Sequence, residues 1–189
     1  MGALLDSSRR ERHSWLVTAS ASEVDRYVLA DDGTFPNSGL PLLHCRRAVP
    51  DGILSRAQEI ERRFAASGWG GIWRNGVYDF HHYHSTTPEA LGVFAGRARV
   101  LFGGERGVTV EVGAGDLIVI PAGVAHKGID ASADFGVIAA YPPGHSPDMC
   151  YGRPGERPRA DRRITQVEVP RTDPFDVSEG SVLRRFWKM

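Results

Sequence analysis

The pattern of hydrophobic and polar positions changes its period near residue 72. Upstream, Leu54, Ala57, Ile60 and Phe64 recur at spacings of three and four, the interval that aligns side chains on one helix face. With Asp51 as N-cap, this predicts a helix over about 51–66, ended by Gly68, Gly70 and Gly71. Before it, Asp31-Asp32-Gly33 reads as a turn, 35–39 as extended or turning chain, and 40–45 as a short strand. Downstream the period falls to two. Tyr78, Phe80, His82 and His84 share one parity; Val77, Asp79, His81 and Tyr83 share the other, so a strand would send the two sets to opposite faces. Residues 90–94 form a short apolar run. Residues 98–102 and 108–112 flank a glycine-rich turn and read as a hairpin. Two more strands, 116–120 and 135–141, stop at Pro121 and at Pro142-Pro143-Gly144. Short strands at this spacing predict an all-β barrel or sandwich. The Pro- and Arg-rich stretch 152–163 reads as a surface segment, and Val182, Leu183, Phe186 and Trp187 could pin the tail back onto the body.

The length of 189 residues fits one domain. Lys plus Arg balances Asp plus Glu at 23 each, which argues against a nucleic-acid footprint or an acidic membrane as partner. No run approaches a membrane span. Residues 1–13 lack the apolar core of a secretory signal and read as a flexible lead-in, so a cytoplasmic location is expected. Cys45 and Cys150 form no CxxC pair, and reduced thiols are the simpler expectation. The expected divisions are the lead-in 1–13, a strand and helix segment 14–71, a core over 72–145 and an extension over 146–189.

The candidate chemistry lies in four residues. His82 and His84 are two apart, so both imidazoles point the same way on a strand. Glu89 follows beyond the Ser85-Thr86-Thr87-Pro88 corner, and His126 follows the sharp Pro121-Ala122-Gly123 turn. Three imidazoles and a carboxylate suit a divalent transition metal: Fe foremost, with Mn, Ni or Zn as alternatives. A lone histidine is more often a satisfied polar residue. The joint pattern with glycines at 76, 96, 115 and 123 and Pro121 outweighs that reading.

Gly76, His82, His84, Glu89 and Gly96 match every fixed position of the first motif of the cupin superfamily, and Gly115, Pro121, Gly123 and His126 match the second. Asp130 stands where that motif has Asn, a difference read as one turn former for another. The resemblance narrows to the YjlB-like bacterial cupins through Trp73-Arg74-Asn75-Gly76, Leu91-Gly92-Val93, the run from Pro121 to Lys127, Tyr141-Pro142-Pro143-Gly144 and the run from Arg153 to Pro158. It implies a double-stranded β-helix, the jelly-roll barrel, with a short N-terminal helical segment. It also implies one metal on His82, His84, Glu89 and His126, and a homodimer.

Around that centre, Tyr78 and Phe80 should face the interior and line a substrate pocket, or simply pack there. Tyr141 could offer its hydroxyl to substrate or pack at the rim; with Glu89 it is the candidate catalytic pair. Arg74 could bind a carboxylate substrate or tie down a loop. His81, of opposite parity, should face away. Cys150 could be a pocket thiol or a buried apolar residue. The expected activity is metal-dependent chemistry on a small molecule, preferentially a dioxygenase-type oxidation. Isomerisation, epimerisation or lysis, and non-catalytic ligand binding, are the alternatives.

Overall fold

The computed structural model describes residues 24–52, 55–174 and 182–187; the expected lead-in over 1–13, and Leu54 of the apolar stripe, lie outside them. In chain order the elements are β1 (Val24–Leu29), β2 (Ser38–Cys45), α1 (Arg56–Ala66), β3 (Gly70–Asn75), β4 (Glu89–Ala95), β5 (Arg97–Phe102), β6 (Val108–Gly113), β7 (Leu117–Ile120), β8 (His126–Ala131), β9 (Gly136–Tyr141), α2 (Arg159–Ile164) and α3 (Val182–Trp187). They form a six-stranded sheet, ordered β1-β2-β7-β4-β9-β3, and a three-stranded sheet, ordered β6-β5-β8. The expected hairpin is β5–β6, closing with Phe102 opposite Val108.

The expectation of an all-β jelly-roll barrel is overturned. The two sheets are open, with β1 and β3 as edges of one and β6 and β8 as edges of the other, and helices complete the packing. The reason lies partly in the segment that carries the histidine pair. It makes only isolated bridges, His82 to His126 and Tyr83 to Cys150. Just beyond, the amides of Ser85 and Thr86 donate to the side chain of Asp148 rather than to a strand. A ladder cannot propagate through backbone donors that are already engaged. Helix α1 supplies the rest. Ile60 and Phe64 join Leu43, Leu117, Val119 and Ile138 in one buried cluster, while a second cluster, including Leu91, Val100, Val110 and Ile118, fills the space between the sheets. Gly92 on β4 makes the close helix contact possible: a Cβ there would stand 2.5 Å from Cγ2 of Ile60.

Two local expectations change as well. Helix α1 begins after Ser55, not Asp51. Ser55 Oγ accepts from the Gln58 amide, and Gln58 Oε1 accepts from the Ser55 amide at 3.1 Å, a reciprocal capping box. Asp51 instead pairs with Arg56 at 2.7 Å. Asp130 is no turn residue: it lies on β8 opposite Arg99 on β5 and pairs with it at 2.5 Å. The segment 152–163 is not all surface, because Ala160 on α2 is buried. Leu183 and Trp187 are buried too, and Trp187 Nε1 donates to the Pro41 carbonyl at 2.8 Å. Both cysteines are free and buried. No described helix is long and apolar enough to cross a membrane.

Candidate metal centre

Backbone pairing brings the histidines together. His82 N–H donates to the His126 carbonyl at 3.2 Å and His126 N–H returns to the His82 carbonyl at 2.9 Å. This reciprocal pair sets the two rings side by side, with centroids 4.0 Å apart. The turn ahead of His126 needs Gly123, which sits at φ +92°, a conformation that costs little only without a Cβ. The Gly123 amide donates to the His84 carbonyl at 2.8 Å, tying the third histidine to the same turn. Glu89 opens β4 opposite Ile120 on β7.

His82, His84 and His126 are all buried, and one ring nitrogen from each lies within 4.8 Å of the others. Glu89 Oε2 stands 3.3 Å from His126 Nε2 and 3.5 Å from His84 Nε2. The second ring nitrogens face backbone carbonyls: His82 Nδ1 to Phe80 at 3.4 Å, His126 Nδ1 to Val124 at 3.2 Å, and His84 Nδ1 to Asp148 at 2.5 Å. A carbonyl only accepts, so each Nδ1 carries the proton and each Nε2 keeps its lone pair for the centre. His84 Nε2 and Glu89 Oε2 are buried without a hydrogen-bond partner. Their close approach thus lacks bonding geometry, and buried polar atoms in that state are costly unless something satisfies them. A divalent cation would do so, and this donor set fits Fe, Mn, Ni or Zn. The three histidines form a site for a single divalent metal.

Electrostatics prepare the same atoms. Burial and the neighbouring His126 lower the His82 pKa to about 3, so that imidazole is neutral near pH 7. Burial raises the Glu89 carboxyl, but His126 and His84 outweigh it and hold the group ionised, below its usual range. At His84 burial opposes the charge and Glu89 overcomes it, a net rise. Tyr141 O–H donates to Glu89 Oε1 at 2.9 Å. Burial and the Glu89 charge push its phenol above the ordinary value, so it stays protonated.

The other expected site residues scatter. Tyr78 is half-buried, with its ring edge-on to His82 at 5.2 Å. Phe80 does not face the interior: it stacks on Tyr78 at 4.8 Å but is 42% exposed, at the mouth rather than inside. Arg74 is not brought to the centre. It lies on β3 and pairs with Glu61 of α1 at 2.7 Å. His81 faces away and bonds Glu105 at 3.0 Å. Tyr83 points into a separate buried cluster with Phe35, Ala125 and Cys150, so alternation survives where a regular strand does not.

Asp148 was not anticipated. Its carboxylate accepts from the Ser85 amide at 2.6 Å, the Ser85 hydroxyl at 2.5 Å and the Thr86 amide at 3.2 Å, and its carbonyl faces His84 Nδ1. It clamps the chain that carries the second histidine. No local signal marks the clamp, because Ser85 and Thr86 lie over 60 residues upstream.

Comparison with known proteins follows the same line. A family model described as Cupin domain matches residues 73–135. Over 154 residues the chain is 40% identical to the uncharacterized protein YjlB of Bacillus subtilis (strain 168), spanning 81% of this chain and 90% of that protein. Among solved structures, acireductone dioxygenase from Bacillus anthracis, with a cadmium ion in its active centre, aligns at 22% identity and a TM-score of 0.32, over 45% of this chain and 57% of its own. The dTDP-6-deoxy-D-glucose-3,5-epimerase RmlC from Legionella pneumophila Philadelphia 1 aligns at 14% identity and a TM-score of 0.38, over 65% of this chain and 73% of its own. Both structural likenesses are too distant to carry a reaction.

Proposed function

The chain belongs to the YjlB-like family of cupins, and we propose that it is a metal-dependent oxidoreductase of the dioxygenase type acting on a small organic molecule. One observation carries the metal part: three imidazoles, each with Nδ1 on a carbonyl, bring ring nitrogens within 4.8 Å of one another, and two of them stand beside a carboxylate oxygen that has no hydrogen-bond partner. His82, His84 and His126 would hold the metal, with Glu89 as the fourth ligand. A divalent transition metal bound there supplies Lewis acidity and, in the case of Fe(II), one-electron chemistry with dioxygen.

The rest of the reading concerns what the chain's own groups can do. Isomerisation or epimerisation asks the protein for a general base that is active near neutral pH. Tyr141 is the hydroxyl beside the cluster, and it remains protonated and engaged with Glu89. It can donate a hydrogen bond to a substrate oxygen, but it is poorly suited to take a proton. Glu89 is committed to the centre. Among the described residues this leaves no free base at the cluster, which favours an oxidation over a proton-shuffling reaction. Tyr78 and Phe80 cover one side of His82 with apolar surface and would keep water from a bound substrate.

Anaerobic loading with Fe(II), followed by oxygen-uptake measurement with a metabolite extract, tests the proposal. Uptake that depends on both iron and substrate is the expected result. Turnover of the same extract without oxygen, and equally well with Zn, would overturn it in favour of a redox-neutral reaction.

A further inference from the structure

A groove of about 820 Å³ lies next to the histidine cluster, bordered by Phe35, Phe80, His81, Tyr151, Arg106 and Arg153 as well as Asp32, Thr34 and Glu105. It does not include the ligand histidines. Phe80 belongs to both places: its ring is 5.8 Å from that of His82 and 6.0 Å from that of Tyr151. An aromatic wall therefore runs outward from the centre, from His82 through Tyr78 and Phe80 to Tyr151. Both Phe80 and Tyr151 are exposed, at 42% and 36%. At the far end the Arg153 guanidinium lies over the Tyr151 ring, 4.4 Å from its centroid.

The charges at the rim are unequal in their commitments. The Asp32 carboxylate accepts from the amides of Thr34 and Phe35. Glu105 is shared by His81 at 3.0 Å and Lys127 at 3.1 Å. Arg106 donates to the Asp32 carbonyl, not to a carboxylate. Among the described residues neither Arg106 nor Arg153 has an acidic side chain within ion-pair distance, whereas Arg157 nearby holds both Asp31 and Asp161. The Arg106 charge reaches Asp31 only at a distance, adding to the Arg157 hydrogen bond that holds that carboxyl below its usual range. Two guanidiniums outside any ion pair beside an exposed aromatic floor suit a flat molecule that ends in a carboxylate, which a planar fork can grip with two bonds.

We propose that this groove binds a planar aromatic carboxylate, with its ring against Phe80 and Tyr151 and its carboxylate on Arg106 and Arg153. As a subsite for the non-reacting end of the substrate, the inference rests on the oxidation proposed above; as a binding site it does not. It narrows the substrate class to flat, anionic organic molecules.

The test uses the full chain freed of metal by a chelator, with benzoate as probe and calorimetry as readout. Benzoate is expected to bind saturably. Benzamide, equal in shape but uncharged, and acetate, charged but ringless, should each bind about tenfold or more weakly. Those contrasts use the unaltered chain. Arg106→Ala and Arg153→Ala should each lower benzoate affinity by about tenfold, and the double variant should still load metal like the unaltered chain. No saturable benzoate binding up to about 10 mM, equal affinity for benzamide, or an unchanged affinity in the double variant would overturn the proposal. Because the probe is read without metal, failure here is separate from failure of oxygen uptake.

Discussion

Two buried histidine-carboxylate groups stand among the described residues, and they differ in what their atoms face. His44 on β2 is fully buried, and its Nε2 meets the Asp116 carboxylate at 2.8 Å. Asp116 in turn accepts from the amides of Arg47 and Gly113. That bond joins β2 to the turn between β6 and β7, and the ring's other nitrogen, Nδ1, has no hydrogen-bond partner and stands 4.0 Å from Asp25 Oδ2. The other group, His82, His84, His126 and Glu89, is arranged the opposite way. Its outer nitrogens are satisfied by carbonyls, and His84 Nε2 and Glu89 Oε2 are left without hydrogen-bond partners. Burial and residue type are alike in both. What separates them is convergence: the lone unsatisfied Nδ1 of His44 points away from its pair, whereas the unsatisfied atoms of His84 and Glu89 meet beside two further imidazoles, as in a site built to receive a ligand.

The contrast breaks most visibly under metal loading. Metal at about a thousandfold its Kd should raise the unfolding free energy by roughly 4 kcal/mol, and His82→Ala should abolish that gain while folding on its own. Thermal melts with and without chelator read both. If His82→Ala gains as much as the unaltered chain, the site lies elsewhere.

Asp116→Ala should act on stability and not on metal. Breaking a buried pair costs roughly 3–5 kcal/mol, measurable by urea unfolding, with metal content unchanged. The pH dependence has a definite sign. Burial pushes the Asp116 carboxyl up, but the His44 bond and the two amides outweigh it and hold the group below its usual range. A depressed acid contributes stability that is complete above the unfolded carboxylate range and is lost as pH falls through the folded value. The unaltered chain should therefore lose stability more steeply than Asp116→Ala as pH falls below about 4.

Asp148→Ala removes the clamp on Ser85 and Thr86 without removing a ligand. The Asp148 carbonyl that faces His84 Nδ1 stays in this variant but loses its anchor, so a competition titration should show metal affinity lowered by no more than the ~10–100-fold typical of outer partners of metal-binding histidines. An unchanged affinity would make Asp148 a loop residue only. The smallest effect belongs to Arg74→Ala. Its pair with Glu61 is half-exposed, so stability should change by less than about 1 kcal/mol and oxygen uptake not at all.

The three histidines of the cluster were legible in the sequence because spacing decides which way they point, whereas Glu89 as a fourth ligand is what the cupin resemblance implies. Two residues on extended chain share a face, and Pro121 and Gly123 force the turn that returns His126. The hairpin β5–β6, strand β7 and the apolar face of α1 were legible for the same reason: their periods are local. The expected barrel failed, because closure depends on whether the histidine segment pairs as a strand. That is decided by Asp148, which is far away in sequence and takes up the amides of Ser85 and Thr86. Strand β3 shows little alternation, being an edge strand with most of its length exposed, and in β1 the adjacent polar Asp25 and Arg26 blur a burial pattern that does alternate. Arg74 illustrates the reverse error: a residue beside the motif in sequence whose partner, Glu61, holds it on the outer helix. The aromatic wall was half legible, since the parity of Tyr78 and Phe80 placed them near His82 but did not reveal that Phe80 opens to the surface.

Metal stoichiometry measured side by side tests the central claim most directly. The unaltered chain, His44→Ala and His126→Ala are loaded anaerobically with Fe(II), desalted and analysed for iron. A single ion per chain is expected in the first two and none in His126→Ala. Iron retained by His126→Ala, or lost equally from His44→Ala while that variant is still folded, would contradict the account.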